Sequence, residues 1–191
     1  MVTLAILAGG KATRMGGRNK ALIEIDGESF IKRIYRNLGP IFNSTIIISN
    51  EQVDFGISGV FVYPDIYRNC GPLGGIHSAL VNSNSDYVFV VSCDMPFANA
   101  SIAEKIINAQ KDGTYEAVVP EISGLFEPLF AIYSKDVIER AEAIIQSTEK
   151  KYITKLLERS DTCYLHLNDT AETKRCFTNI NSFDDLLNLK Y

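Results

Sequence analysis

Apolar residues fall along this chain in short runs separated by amphipathic stretches. Thr3 to Leu7 is an unbroken apolar run, the pattern of a strand buried on both faces. Asp26-Gly27 is a turn signal between Leu22–Ile25 and the next element. Phe30, Ile31, Ile34, Tyr35 and Leu38 then share one stripe at helical spacing, which predicts a helix over Ser29 to Leu38. Thr45 to Ser49 and Val60 to Tyr63 are β-branched strands, and Tyr87 to Val91 is the most apolar strand pattern of all. Gly75 to Val81 reads as a helix. Ser101 and Glu104 form a capping-box pattern ahead of a helix over Ile102 to Gln110. Ala117 to Val119 and Pro128 to Tyr133 read as strands joined through Ser123-Gly124. Lys135 to Ser147 and Tyr152 to Leu157 read as helices. A late strand over Phe177 to Ile180 precedes a final helix capped by Ser182, with Asp185 at its third position.

Continuous apolar strands alternating with helices predict a mostly parallel sheet covered on both faces. With 191 residues, the expectation is one three-layer α/β domain over residues 1–191. In such sheets ligands bind beyond the carboxyl ends of the strands. The loops to search therefore begin at Ala8, Pro64, Ser92 and Asn181.

Composition narrows the partners. The net charge is −4, which argues against a polynucleotide as main ligand. The first apolar run is too short for a signal peptide or a membrane span and has no basic segment before it. Cys70, Cys93, Cys163 and Cys176 show no CxxC spacing. They read as reduced thiols rather than a zinc site or a disulfide framework. A cytoplasmic protein without nucleic-acid or membrane partners is the expectation. His77 and His166 read as structural histidines.

The loop after the first strand carries the chemistry. Between Gly9 and Lys20 stand the glycines Gly9, Gly10, Gly16 and Gly17 and the bases Lys11, Arg14, Arg18 and Lys20. Glycine lets backbone N–H groups approach a ligand, and the bases supply charge for an anion. The combination is a phosphate cradle, although it matches neither a Walker A loop nor the dinucleotide fingerprint. A surface loop with solvated charges is the plain alternative. Asp94 ends the strongest strand pattern and is followed by Met95-Pro96. A carboxylate there suits Mg²⁺, which takes one or two carboxylates with phosphate oxygens and waters. It suits a turn cap as well.

Five segments in order resemble the nucleotidyltransferase family that includes molybdenum cofactor guanylyltransferase. They are Leu7-Ala8-Gly9-Gly10 with Arg14-Met15-Gly16 and Lys20-Ala21-Leu22; Tyr63-Pro64-Asp65 with Gly71-Pro72-Leu73-Gly74-Gly75; Cys93-Asp94-Met95-Pro96; Glu127-Pro128-Leu129-Phe130; and Asn179-Ile180-Asn181-Ser182. The resemblance implies a Rossmann-like nucleotidyltransferase fold with a nucleotide over Leu7, Ala8, Gly9 and Gly10. It implies Arg14 and Lys20 on its phosphates, where a fixed guanidinium and an ammonium stabilise charge growing on a leaving pyrophosphate. Asp94 would hold Mg²⁺ and contact the nucleotide. Asp65 and Gly71 would contact base and sugar, and a carboxylate can accept from guanine's ring N–H and amino group. Asn181, two residues after Asn179 and so on its face of a strand, would be a metal or acceptor ligand. Ser49-Asn50 is a further candidate pair. Glu127 stands where many family members carry histidine, so the acceptor side departs from the pattern.

The resemblance implies an enzyme that transfers GMP from GTP to molybdopterin and releases pyrophosphate. Transient contact with proteins that deliver the acceptor is compatible with it. Two rivals stay open: a nucleotidyltransferase of this fold using CTP on molybdopterin or a nucleotide on a sugar phosphate, and a non-catalytic nucleotide-binding module.

Overall fold

The computed structural model describes residues 1–9, 19–148 and 150–188. Gly10, Lys11, Arg14 and Arg18 lie outside the described residues.

The elements in chain order are β1 (Val2–Leu7), β2 (Glu24–Ile25), β3 (Glu28–Ser29), α1 (Phe30–Leu38), β4 (Ser44–Ile48), β5 (Phe61–Tyr63), α2 (Gly71–Asn82), β6 (Tyr87–Ser92), α3 (Ala100–Asp112), β7 (Ala117–Ile122), β8 (Leu125–Phe126), β9 (Phe130–Ser134), α4 (Ile138–Gln146), α5 (Ile153–Glu158), β10 (Thr162–His166), α6 (Ala171–Cys176) and α7 (Phe183–Asn188). One sheet runs in the order β10-β7-β9-β6-β1-β4-β5, with β8 paired to β7. The pairs β6–β1, β1–β4, β4–β5 and β7–β10 are parallel. β9 lies antiparallel to both β6 and β7. That reversal follows from the hairpin before it: Ser123 (φ 51°) and Gly124 (φ 82°) turn β7 back into β8. The Asp26-Gly27 signal is likewise a hairpin turn, between β2 and β3, with both residues at positive φ.

Period-two alternation builds the three layers. Leu4, Ile6, Phe89, Val91, Phe130 and Ile132 face α1 and α3. Ala5, Leu7, Val88, Val90, Ala131 and Tyr133 face α2, α4 and α5. The strongest strand pattern, β6, lies fully inside, and β1 sits between β6 and β4 at the middle of the parallel part. Among the described residues no helix is long and apolar enough to cross a membrane.

Three expectations need correction. No strand forms over Phe177 to Ile180. Within it only Ile180 is buried, so no alternation of buried and exposed positions develops, and the Phe177 ring packs edge-on against Phe130 at 5.3 Å. The last strand of the sheet is β10 instead. The same-face argument for Asn179 and Asn181 therefore lapses. Next, α3 is not capped by Ser101. Asn99 accepts from Ser101 N (2.8 Å) and Ile102 N (3.3 Å), and Ser101 Oγ donates to Glu172. An asparagine two residues earlier satisfies the free N–H groups first. Finally, α2 starts at Gly71 rather than Gly75, with Pro72 in its first turn. The Gly71–Gly75 stretch is thus a helix entry, not an open loop. The Ser182 cap stands: Ser182 Oγ accepts from Asp185 N, and Asp185 Oδ2 accepts from Ser182 N.

Candidate functional site

Three parallel strands end side by side. Ala8 N donates to Ile48 O at 2.9 Å, and Cys93 N donates to Leu7 O at 3.0 Å. Beyond those ends opens a cleft of about 390 Å³. Leu7, Gly9, Asp65 and Gly71 line it, with Asn50 and Ser92. Four residues assigned to the nucleotide from the sequence therefore share one cavity. Ala8 does not line it; its side chain is buried in the core.

Asn50 and Asp65 clamp the ends of β4 and β5. Asn50 Nδ2 donates to Asp65 Oδ2 at 2.7 Å, and Asp65 N donates to Asn50 Oδ1 at 3.0 Å. The reciprocal bonds fix the carboxylate and leave Oδ1 to accept from a ligand. Gly74 and Gly75 have packing reasons. A Cβ on Gly74 would lie 2.9 Å from Tyr67 O, and one on Gly75 would lie 3.2 Å from Leu7 Cδ1. Only Gly71, at φ +58°, is glycine for backbone conformation.

A second cluster adjoins the cleft through the Ser92–Asp94 turn. Lys20 opens a short 3₁₀ turn capped by Asn19, whose Oδ1 accepts from Ala21 N at 2.9 Å. Lys20 Nζ donates to Asp94 Oδ2 at 2.9 Å and to Asn181 Oδ1 at 2.6 Å. The backbone holds these partners in place. Ile180 N donates to Asp94 O at 2.9 Å, and Asn181 N donates to Asp185 Oδ2 at 2.6 Å. Lys20, Asp94 and Asn181 thus meet at one point from three distant parts of the chain. Asn181 gets there from an irregular segment, not from the end of a strand.

Among the described residues no backbone N–H donates to the Asp94 carboxylate as in a cap, and Met95 N donates to Ser92 O. Asp94 Oδ1 is a buried acceptor without a hydrogen-bond partner among the described residues. Unpaired buried carboxylate oxygens are costly, so this one fits a cation ligand. Among the described residues no group of three or more His, Cys, Asp or Glu could cage a metal. Mg²⁺ needs no such cage when phosphate oxygens and waters complete its shell. The donor set at Asp94 and Asn181 therefore fits Mg²⁺ carried by a triphosphate.

The local field is readable in neighbouring groups. Burial pushes the Glu127 carboxyl above its usual range, and the Asp94 charge adds to it. Burial pushes the Cys93 thiol up to about 12, again helped by Asp94. Cys93 is therefore no nucleophile at neutral pH. His77 is fully buried, with Nε2 2.9 Å from Glu142 Oε1, and His166 pairs with Glu121. Neither histidine lines the cleft. Several lining or positioning residues were given no role from the sequence, among them Asn69, Asn19 and Leu129. Asn19 had a legible signal, a capping residue ahead of Lys-Ala-Leu. Leu129 had only its place in the Glu127-Pro128-Leu129-Phe130 motif; it lines the cleft, and Ser92 N donates to its carbonyl at 2.9 Å.

Comparison with known proteins gives one direction. A family model described as the MobA-like NTP transferase domain matches residues 4–163. A protein of Clostridium perfringens (strain 13 / Type A) named probable molybdenum cofactor guanylyltransferase is 38% identical over 190 residues, covering 95% of this chain and 92% of that protein. A molybdenum cofactor guanylyltransferase of Vibrio campbellii is 34% identical over 182 residues, covering 95% and 91%. The fold is that of the molybdopterin-guanine dinucleotide biosynthesis protein A of Archaeoglobus fulgidus, with a TM-score of 0.79 at 24% identity over 97% of this chain and 95% of that one. A synthetase titled CMP:2-keto-3-deoxy-manno-octonic acid synthetase shares the fold with a TM-score of 0.77 at 11% identity, over 99% and 96%. A family match over most of the chain, and relatives above 30% identity along nearly all of it, agree with a strand-end cleft beside a Lys–Asp–Asn cluster: this chain belongs to the MobA-like NTP transferase family.

Proposed function

We propose that the protein transfers GMP from GTP to molybdopterin, forming molybdopterin guanine dinucleotide and releasing pyrophosphate, with residues 1–191 acting as one catalytic domain. The observation that carries this reading is the meeting of Lys20, Asp94 and Asn181 beside the cleft lined by Leu7, Gly9, Asp65 and Gly71. The names of its relatives support the choice of substrates.

In this reading the nucleotide lies over the backbone of Leu7 to Gly10, with its base toward Asp65 and Gly71. Asp65 Oδ1 accepts from the guanine edge, while Asn50 holds Oδ2. Asp94 holds Mg²⁺, with Asn181 as second donor. When bound, the cation neutralises triphosphate oxygens and polarises the reacting phosphorus. Lys20, with Arg14 from the glycine loop, stabilises the pyrophosphate as it leaves. An oxygen of the acceptor phosphate forms the new bond to the α-phosphorus, and the bond to the β-phosphate oxygen breaks. The acceptor is already an anion, so the protein must position it rather than deprotonate it. Glu127, whose carboxyl feels the Asp94 charge, would be the residue on the acceptor side in this reading. Four free thiols, three of them buried, favour a reducing compartment such as the cytoplasm.

The test is a panel of GTP, CTP, ATP and UTP with molybdopterin and Mg²⁺, reading dinucleotide by mass and pyrophosphate release. Dinucleotide from GTP well above the others is expected. Equal turnover with CTP would replace guanylyl by cytidylyl transfer, and absence of pyrophosphate release with any nucleotide would leave a binding module.

A further inference from the structure

Lys20 reaches the two oxygens that suit a divalent cation. Its ammonium donates to Asp94 Oδ2 at 2.9 Å and to Asn181 Oδ1 at 2.6 Å, and its side chain is only 15% exposed. A carboxylate and an amide carbonyl are hard oxygen donors of the kind Mg²⁺ and Mn²⁺ take. An ammonium is also a compact, strongly hydrated point charge that prefers such oxygens. We propose that the Lys20 ammonium and the divalent cation compete for the Asp94 carboxylate and the Asn181 amide oxygen, so that Lys20 excludes the cation until a nucleotide arrives to draw the lysine away. The inference rests on the proposed role of Asp94 and deepens it, from what binds there to the order in which it binds.

The physical argument has three parts. A divalent ion seated on both oxygens would stand within a few ångströms of the Lys20 ammonium, a like charge whose side chain is largely buried, and the two would repel. The ion can enter only if Lys20 leaves, which breaks two charge-assisted hydrogen bonds. Those bonds are braced from behind, since Ile180 N fixes the Asp94 backbone and Asp185 fixes that of Asn181. The charged groups around Lys20 do not offer it an equal alternative. Among the described residues the Asp185 carboxylate already accepts from Asn181 N and Ser182 N, and its carboxyl is lowered first by the Asn181 N–H, with the Lys20 charge the smallest of its causes. A triphosphate changes the balance. It gives the ammonium new oxygens and brings the cation with it, freeing both protein oxygens at once. Cation and nucleotide then bind with positive coupling, and the coupling is reciprocal. Asp94 Oδ1, buried and without a hydrogen-bond partner among the described residues, is the oxygen at which the cation can begin the exchange.

The test is a Mn²⁺ titration followed by electron paramagnetic resonance of the free ion, on the full chain. It is run without nucleotide and with a GTP analogue carrying a methylene bridge between α- and β-phosphorus. Lys20→Met keeps the length of the side chain and removes its charge. Without nucleotide it should bind Mn²⁺ about tenfold or more tightly than wild type. Asp94→Asn in the same background should cancel that gain. The factor by which the analogue raises Mn²⁺ affinity should be smaller in Lys20→Met than in wild type. Unchanged or weaker nucleotide-free Mn²⁺ binding by a folded Lys20→Met, or by Lys20→Gln should the first variant not fold, overturns the competition. If Asp94→Asn still weakens Mn²⁺ binding in the presence of the analogue, the proposed role of Asp94 survives that failure. If Asp94→Asn has no effect even then, the role of Asp94 falls and the competition with it.

Discussion

Gly75 ties the packing of the fold to the nucleotide cleft, and Gly75→Ala should separate the two. An alanine Cβ at this position would sit 3.2 Å from Leu7 Cδ1, 3.4 Å from Cδ2 and 3.8 Å from Cγ. Comfortable carbon contacts lie at about 3.5–4.0 Å, so Leu7 must give by a few tenths of an ångström. Leu7 is 7% exposed and lines the cleft. It is a side-chain end, and its open side is the cleft. Replacing a helical glycine by alanine gains up to about 1 kcal/mol, while inserting a methyl into a packed core costs about 1–3 kcal/mol when nothing can move. With Leu7 able to turn, the two nearly offset, and stability should stay within about 1 kcal/mol of wild type. The effect appears in the ligand instead. A leucine methyl pushed into the cleft should weaken nucleotide binding by about tenfold, on the order of 1.4 kcal/mol. Gly74→Ala is the contrast. Its Cβ would meet the Tyr67 carbonyl oxygen at 2.9 Å, and backbone cannot turn aside, so this variant should lose about 1–3 kcal/mol of stability. Thermal unfolding of both variants and calorimetric titration with GTP and Mg²⁺ check the pair. Wild-type GTP affinity in Gly75→Ala would refute the coupling of this helix entry to the cleft, as would equal stability loss in both variants.

Three further outcomes follow from the same geometry. Asp94→Asn should lower pyrophosphate release at least about a hundredfold across a magnesium titration, with a melting temperature close to wild type; near-normal turnover would remove Asp94 from the cation. Glu116 accepts from Arg140 and, at 2.8 Å, from Asp161 N, and its carboxyl is held below the usual range chiefly by the Arg140 hydrogen bond. Its stabilisation is therefore present above the unfolded-state pKa and lost as pH falls through the depressed native value, so Glu116→Gln should melt below wild type at pH 7 and converge with it in acid. Glu127 has the opposite sign: burial first, then Asp94, raises its carboxyl, so ionisation opposes folding above the native pKa and that penalty fades as pH falls toward the unfolded value. Glu127→Gln should melt at or above wild type at pH 8, the gap should close by about pH 4, and steady-state kinetics should show a changed KM for the acceptor with that for GTP preserved.

The sequence alone determined what rests on local periodicity and local chemistry. The unbroken apolar runs of β1 and β6 could only be strands covered on both faces, and the stripe of α1 could only face a core. From those strands followed the sheet, and from the sheet the edge at which a ligand binds, so the loops beginning at Ala8, Pro64 and Ser92 were legible as places to search, and the family resemblance named Leu7, Gly9, Asp65 and Asp94 as candidates there. The Ser182 cap was legible too, because a cap is a relation between residues three apart. What the tertiary structure decided involves residues far apart in the chain. Phe177 to Ile180 could pass for a strand because a short apolar run does not state its period; docking of Phe177 on Phe130 and of Ile180 N on Asp94 O settled it as irregular chain. The direction of β9 depended on the hairpin before it. In the sequence Gly74 and Gly75 have no reason beyond the motif they stand in; the close approach of Tyr67 and Leu7 supplies one. The meeting of Lys20 with Asp94 and Asn181 joins residues separated by 74 and 161 positions, and no local pattern encodes a contact of that span. Such contacts are selected by the packing of the whole sheet and its helices, which brings strand ends together whatever their distance along the chain.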